Sequence, residues 1–358
     1  YTGYSRLAMG IDTGVDPTHP ALRDKYQGNL KPASQSWYDY SGNYGSALDC
    51  GSSYHGTHTM GTMVGLDPAT NDTIGVAFGA RWIASPGICS GNSTSARVAA
   101  FQWAMDPDNN TNTTSDMPDA ICNSWYDPNT SNECNGLYRQ TFDAVEAVGI
   151  AIVFSAGNSG PGASTITQPK NINNDTTSVF CVGSTSKFSP YNISNFSSRG
   201  PSTCGGTGTF QIKPEVAAPG ASVRSAVDNQ GYGSYSGTSM AAPHVCGAIL
   251  LLKEAFPYLT GRQLKMALFM SAIDLGTAGE DNTYGMGIIN VPAAYNWLLN
   301  QGNVPATYSR DAAPVAVNSP TNTNCDNNIN PEVVIQNDST TALTSLTIEY
   351  RFFPSALT

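Results

Sequence analysis

The chain has 358 residues with a formal net charge of −10, and only 12% of its residues are charged. That balance argues against a nucleic-acid binder, which needs a basic patch to meet phosphate, and no apolar run approaches the roughly 20 residues of a membrane helix. A 40% hydrophobic share supports one large packed domain with a piece left over, and 35 glycines with 22 prolines predict a loop-rich surface.

Along the chain, short apolar runs alternate with helical patterns. Residues 7–11, 81–88, 119–125, 149–158 and 178–184 are predicted strands. They are continuously apolar rather than alternating, which suits strands covered on both faces. Residues 94–105, 137–149, 239–256, 260–272 and 290–300 are predicted helices, and HGTHTMGTMVG (55–65) opens another. This alternation predicts an α/β fold whose mostly parallel sheet carries helices on both faces. Near Asn300 the composition changes. Residues 301–330 read as an Asn/Thr/Pro/Ala-rich linker, and 331–352 alternate like two strands around a polar turn. Two strands cannot bury a face alone, so 331–358 are expected to open a β-sandwich-like accessory domain.

None of the eight cysteines forms a C-x-x-C pair. This disfavours zinc or a redox centre and favours disulfides in an oxidising compartment. The spacings suggest Cys50–Cys89, Cys181–Cys204 and Cys122–Cys134 bridges, with Cys246 a free thiol on the interior of a helix. The opening segment has neither a basic nor an apolar region of a signal peptide, so a secreted protein would already have lost it.

Three positions carry candidate chemistry. Asp12 directly follows the first strand, His55 opens a helix, and Ser239 stands at a helix N-terminus behind a glycine turn. Singly each is weak, because strand-end Asp and helix-start Ser are common turn and cap residues. Their chain order, however, is that of the subtilisin triad. The segments IDTGVD, HGTHTMGT, SAGNSGPG and YSGTSMAAPHV resemble the signatures of subtilisin-like serine peptidases over about residues 7–299, and HPALRDKYQG, WYDYSG and NDTIGVAFGARWIA resemble bacillopeptidase F-like members.

The resemblance implies a subtilisin-like α/β fold and a secreted endopeptidase with Asp12, His55 and Ser239 as the triad and Asn158 in the oxyanion hole. By motif match, Ser124-Trp125-Tyr126 and Ser155-Ala156-Gly157 would pair with an extended substrate, and Thr167 would lie near the floor of the primary pocket. Tyr126 and Thr167 both stand where the family commonly has glycine. His58 is expected to be structural, since a zinc pair would want a third ligand at helix spacing. His244 is expected to pack, and His19 to lie on the surface. No catalytic cofactor is implied. A structural calcium is not assignable, because the loop after the His helix is shorter than usual. The implied partners are protein or peptide substrates of a monomer that has shed an N-terminal propeptide. Two other readings stay open: a catalytically silent adhesion protein on the same fold, and an esterase.

Overall fold

The computed structural model describes residues 1–89, 93–130, 134–173, 175–306, 312–319 and 332–337. The chain divides into two compact units, Tyr1–Val304 and Pro305–Thr358. The first contains, in order, β1 (Leu7–Ile11), α1 (His55–Val64), β2 (Arg81–Ser85), α2 (Thr94–Ala104), β3 (Ala120–Asn123), α3 (Leu137–Ala147), β4 (Ala151–Ser155), β5 (Phe180–Thr185), β6 (Val216–Pro219), β7 (Val223–Ala226), β8 (Tyr232–Tyr235), α4 (Thr238–Ala255), α5 (Gly261–Met270) and α6 (Val291–Asn300). Six strands form one parallel sheet in the order β2-β1-β3-β4-β5-β6, and β7 and β8 form an antiparallel ribbon.

The continuous apolar runs are explained by the two-residue period of a strand. On β3, Ala120 and Cys122 join the cluster beneath α1, α4, α5 and α6, while Ile121 joins the one beneath α2 and α3. On β4, Ala151 and Val153 take the first side, and Ile152 and Phe154 the second. The strands at 7–11 and 178–184 and all six predicted helices fall where the patterns put them, with ends shifted by no more than two residues. Strands β6, β7 and β8 carry no comparable signal: VAAP, VRSA and YGSY are four residues each and hold proline, arginine, serine or glycine. No helix among the described residues is long and apolar enough to cross a membrane.

Helix α4 runs for 18 residues and contains Pro243. Proline has no N–H, so the carbonyl of Ser239, four residues earlier, loses its intrahelical donor. Ser124 Oγ donates to that carbonyl instead, at 3.3 Å, and so fastens the loop after β3 to the start of α4.

Cys50 is bridged to Cys89, tying the loop before α1 to the loop after β2. The two other pairings differ from expectation. Cys204 bridges Cys134, while Cys181 and Cys122 are free and buried, as is Cys246. Cys181 lies within β5 and Cys122 within β3; side chains turned into the sheet's own cores cannot reach a loop cysteine. His19 also differs: it is fully buried, with Nε2 donating to Gly231 O at 2.8 Å and Nδ1 accepting from Ala21 N–H at 3.1 Å.

Residues 301–304, expected to belong to a linker, stay with the first unit, where Tyr258 Oη bonds both N–H and O of Val304. In the second unit β9 (Ala312–Ser319) pairs antiparallel with β10 (Glu332–Asn337). Strand β9 also falls within the expected linker, where Pro and Asn mask a short apolar stretch. The strand expected beyond Asn337 lies outside the described residues.

Gly247 marks the closest approach of α4 to the segment after α1. A Cβ there would lie 2.5 Å from Val76 Cβ, which cannot swing away. Alanine improves helix propensity by up to about 1 kcal/mol, but overpacking costs about 1–3 kcal/mol. Gly247→Ala is therefore expected to lower the urea midpoint; an unchanged or raised midpoint would show that the contact yields.

Candidate active site

Asp12 follows β1 and is 2% exposed. A buried carboxylate must be hydrogen-bonded, and its Oδ1 accepts from Thr13 N–H at 2.7 Å and from His55 Nδ1–H at 2.7 Å. Because a carboxylate only accepts, the imidazole proton belongs on Nδ1, and neutral His55 keeps a lone pair on Nε2. The first turn of α1 is joined to the same place. Gly56 N–H donates to Thr13 Oγ1 at 2.8 Å, and Thr57 N–H donates to Asp49 Oδ2 at 2.9 Å, so free N–H groups of the helix start are satisfied by neighbours of Asp12. Gly56 makes this approach possible, since a Cβ there would lie 2.0 Å from Gly14 O.

The two histidines of α1 do different work. Burial opposes the charged form of His55, but the charge and hydrogen bond of Asp12, with Asp49 further off, outweigh it and raise its pKa above the ordinary value. His58 is buried, donates from Nε2 to Val223 O at 3.0 Å and Gly233 O at 3.2 Å, and stacks on Tyr235. Burial pushes its pKa down to about 4, so it stands neutral between α1 and the β7–β8 ribbon. His244 bonds Met240 O within α4.

Ser239 occupies the first turn of α4 and lines a pocket of ≈ 230 Å³. Among the described residues its Oγ makes no hydrogen bond. Next to it, Thr238 ties two segments together. Its hydroxyl accepts from Gly157 N–H at 2.9 Å and donates to Asn158 Oδ1 at 3.0 Å, while its own N–H donates to the same Oδ1 at 2.9 Å. Since a backbone N–H can only donate, this fixes which end of the Asn158 amide is oxygen. The Nδ2 group is left without a partner among the described residues, on an exposed side chain beside Ser239.

The pocket gathers Ser124, Trp125, Tyr126, Ser155, Gly157, Asn158 and Thr167 around Ser239. Tyr126 is 56% exposed and stands at the rim. The Trp125 ring is buried against Phe154 and under the Arg97 guanidinium, and Ala156 is buried in the core, outside the lining. Asp12 and His55 also lie outside it, on β1's end and α1. Lining residues that the sequence did not single out are Ser159, Thr165, Lys170, Ser198 and Thr238. Thr238 sits inside a quoted motif but reads as an ordinary helix-start residue. Lys170, in TQPKN, reads as a surface lysine. Away from the pocket, Asp106, Asp108 and Asp116 in the loop after α2 lie close enough to share a cation.

Compared with known proteins, residues 10–287 match the profile of the Subtilase family. The chain is 36% identical over 310 residues to bacillopeptidase F of Bacillus subtilis (strain 168); the match covers 81% of this chain and 20% of that much longer protein. It is 35% identical over 298 residues to subtilisin DY of Bacillus licheniformis, covering 82% and 92%. Among solved structures, Sphericase superposes with a TM-score of 0.64 at 27% identity, covering 81% of this chain and 92% of that one.

The raised pKa of His55 has one main removable cause, Asp12. Asp12→Asn keeps the shape but removes the charge, while the opposing burial remains. The His55 pKa, followed by NMR titration of its ring protons, is expected to drop below the wild-type value and below the ordinary value of roughly 6.5. An unaltered titration would mean that Asp12 does not set it.

Proposed function

The chain belongs to the subtilase family of serine endopeptidases, and we propose that it cleaves extended protein or peptide segments with Ser239 as nucleophile and His55 as general base, oriented by Asp12. The observation that carries this reading is the 2.7 Å bond from His55 Nδ1 to the buried Asp12 carboxylate, which leaves Nε2 as the proton acceptor.

A serine hydroxyl is a weak nucleophile until a base takes its proton. In the first step Ser239 Oγ attacks the scissile carbonyl carbon as its proton passes to His55 Nε2. The negative charge of Asp12 stabilises the imidazolium so formed. The carbonyl oxygen becomes an oxyanion, for which Asn158 Nδ2 and the Ser239 N–H serve as donors. The collapse of this intermediate breaks the C–N bond, with the proton of His55 going to the leaving amine and the acyl group staying on Ser239. Water then attacks the ester by the same steps in reverse roles. The free end of the Asn158 amide and the helix N-terminus of α4 both favour charge at that oxygen. The presence of base, orienting acid and oxyanion donors together favours a working enzyme over a silent binding protein. Two backbone segments, Ser124–Tyr126 and Ser155–Gly157, border the pocket, and main chain that could pair with an extended substrate favours a peptide over a simple ester.

We place the enzyme outside the cell, released from an N-terminal propeptide; the bridged Cys50, Cys89, Cys134 and Cys204 suit an oxidising compartment. Residues 331–358 are proposed to open an accessory domain following the peptidase.

Ser239→Ala is expected to leave a folded protein with at most a trace of activity on casein, and phenylmethylsulfonyl fluoride to label Ser239 in the wild type. Full activity in the alanine variant would contradict the mechanism.

A further inference from the structure

Among the described residues, Lys170 is the only charged side chain lining the pocket beside Ser239. It is 3% exposed, yet its ammonium reaches the pocket wall. Nζ lies 3.3 Å from where a Cβ on Gly157 would stand, with Ser198 Oγ 3.0 Å from the same point. The absence of a side chain on Gly157 thus leaves the ammonium facing the cavity.

The other buried lysines of the fold are paired. Lys213 meets Glu215 and the carbonyl of Val179; Lys265 meets Glu146 and the carbonyl of Thr177. Lys170 has no such partner. Among the described residues no carboxylate lies within ion-pair distance of its Nζ and no acceptor takes a hydrogen bond from it. Burial lowers its pKa to about 8, with the Cys181 thiol acting the other way, so the ammonium is the main form at neutral pH. A buried charge without a counter-charge is costly. Here the missing counter-charge faces the space that substrate must fill.

Resting on the reading of Ser239 as nucleophile, we propose that this pocket receives the side chain of the residue whose carbonyl is attacked, and that Lys170 selects an acidic one, Asp or Glu. A pocket of ≈ 230 Å³ suits one side chain. A carboxylate entering it gains charge-assisted hydrogen bonds from Nζ. Ser198 Oγ accepts from Ser159 N–H at 3.0 Å and keeps its own proton to donate, and Thr167 adds a hydroxyl to the wall, whereas the hydroxyl of Thr165 is already committed to Gly162 O. A basic side chain would meet like charge, and an apolar one would bury the ammonium still unpaired. Discrimination of this kind is large because the rejected substrate leaves a buried polar group unsatisfied.

The test is a set of peptides identical except at the residue before the scissile bond, carrying Glu, Asp, Gln, Leu or Lys, with kcat/KM measured for each. Glu or Asp is expected to exceed both Gln and Leu at least tenfold, with Lys slowest. In Lys170→Met the ratio of acidic to Leu substrate is expected to collapse at least tenfold. Equal or greater hydrolysis of Leu or Lys peptides by the wild type would overturn the proposal on its own, whatever the variant does. Cleavage with a preference untouched in Lys170→Met would also overturn it. If no peptide is cleaved and phenylmethylsulfonyl fluoride labels nothing, the reading of Ser239 fails and this proposal fails with it.

Discussion

The hydroxyl of Thr238 is the join on which the site depends. It receives the N–H of Gly157 and donates to Asn158 Oδ1, connecting the end of β4 to the start of α4. Without it, of these bonds only that from Thr238 N–H to Asn158 Oδ1 would hold the residues after β4 to the helix start carrying Ser239. With it, one side-chain oxygen holds the pocket wall at Gly157 and, together with its own residue's N–H, the orientation of the Asn158 amide, both relative to Ser239. Proton transfer and oxyanion stabilisation demand donors placed to within a fraction of an ångström, and a hydroxyl with both its roles filled supplies that constraint.

The fold converges on this place for topological reasons. In a parallel sheet all strands end on the same side, so Asp12 after β1, Ser124 after β3 and Gly157 after β4 emerge together. Helices α1 and α4 then begin beside those ends, at His55 and Thr238. Two departures from regularity tighten the arrangement. Pro243 frees the Ser239 carbonyl for Ser124, and Gly56 lets α1 come within contact of Gly14 and Asp12.

The legible parts of the sequence were those with a local pattern. The long strands and helices show as apolar runs and periodicities, because burial on both faces leaves a continuous trace at β1, β4 and β5. Motif order pointed to Asp12, His55, Asn158 and Ser239. What the sequence hid depends on three-dimensional company. Strands β6 to β8 are too short and mixed to show a period. Cys204 takes Cys134 rather than Cys181 because β5 turns Cys181 into the core, a direction that spacing does not reveal. His19 beside Pro20 looked like a surface residue, but the β7–β8 ribbon offers it the carbonyl of Gly231. Lys170 carries no local sign of its burial, which only the packing of the β4–β5 loop under Gly157 creates.

The measurement that bears most directly on the central join is a double-mutant cycle in kcat between Thr238→Val and Asn158→Ala. Removing Asn158's amide is expected to lower kcat about 10²–10³-fold. If Thr238 acts by holding that amide, Thr238→Val alone lowers kcat as well but adds little to the loss once Asn158 is gone, the non-additivity of residues in one network. Losses that simply multiply in the double variant would contradict the account, showing that Thr238 and Asn158 contribute independently.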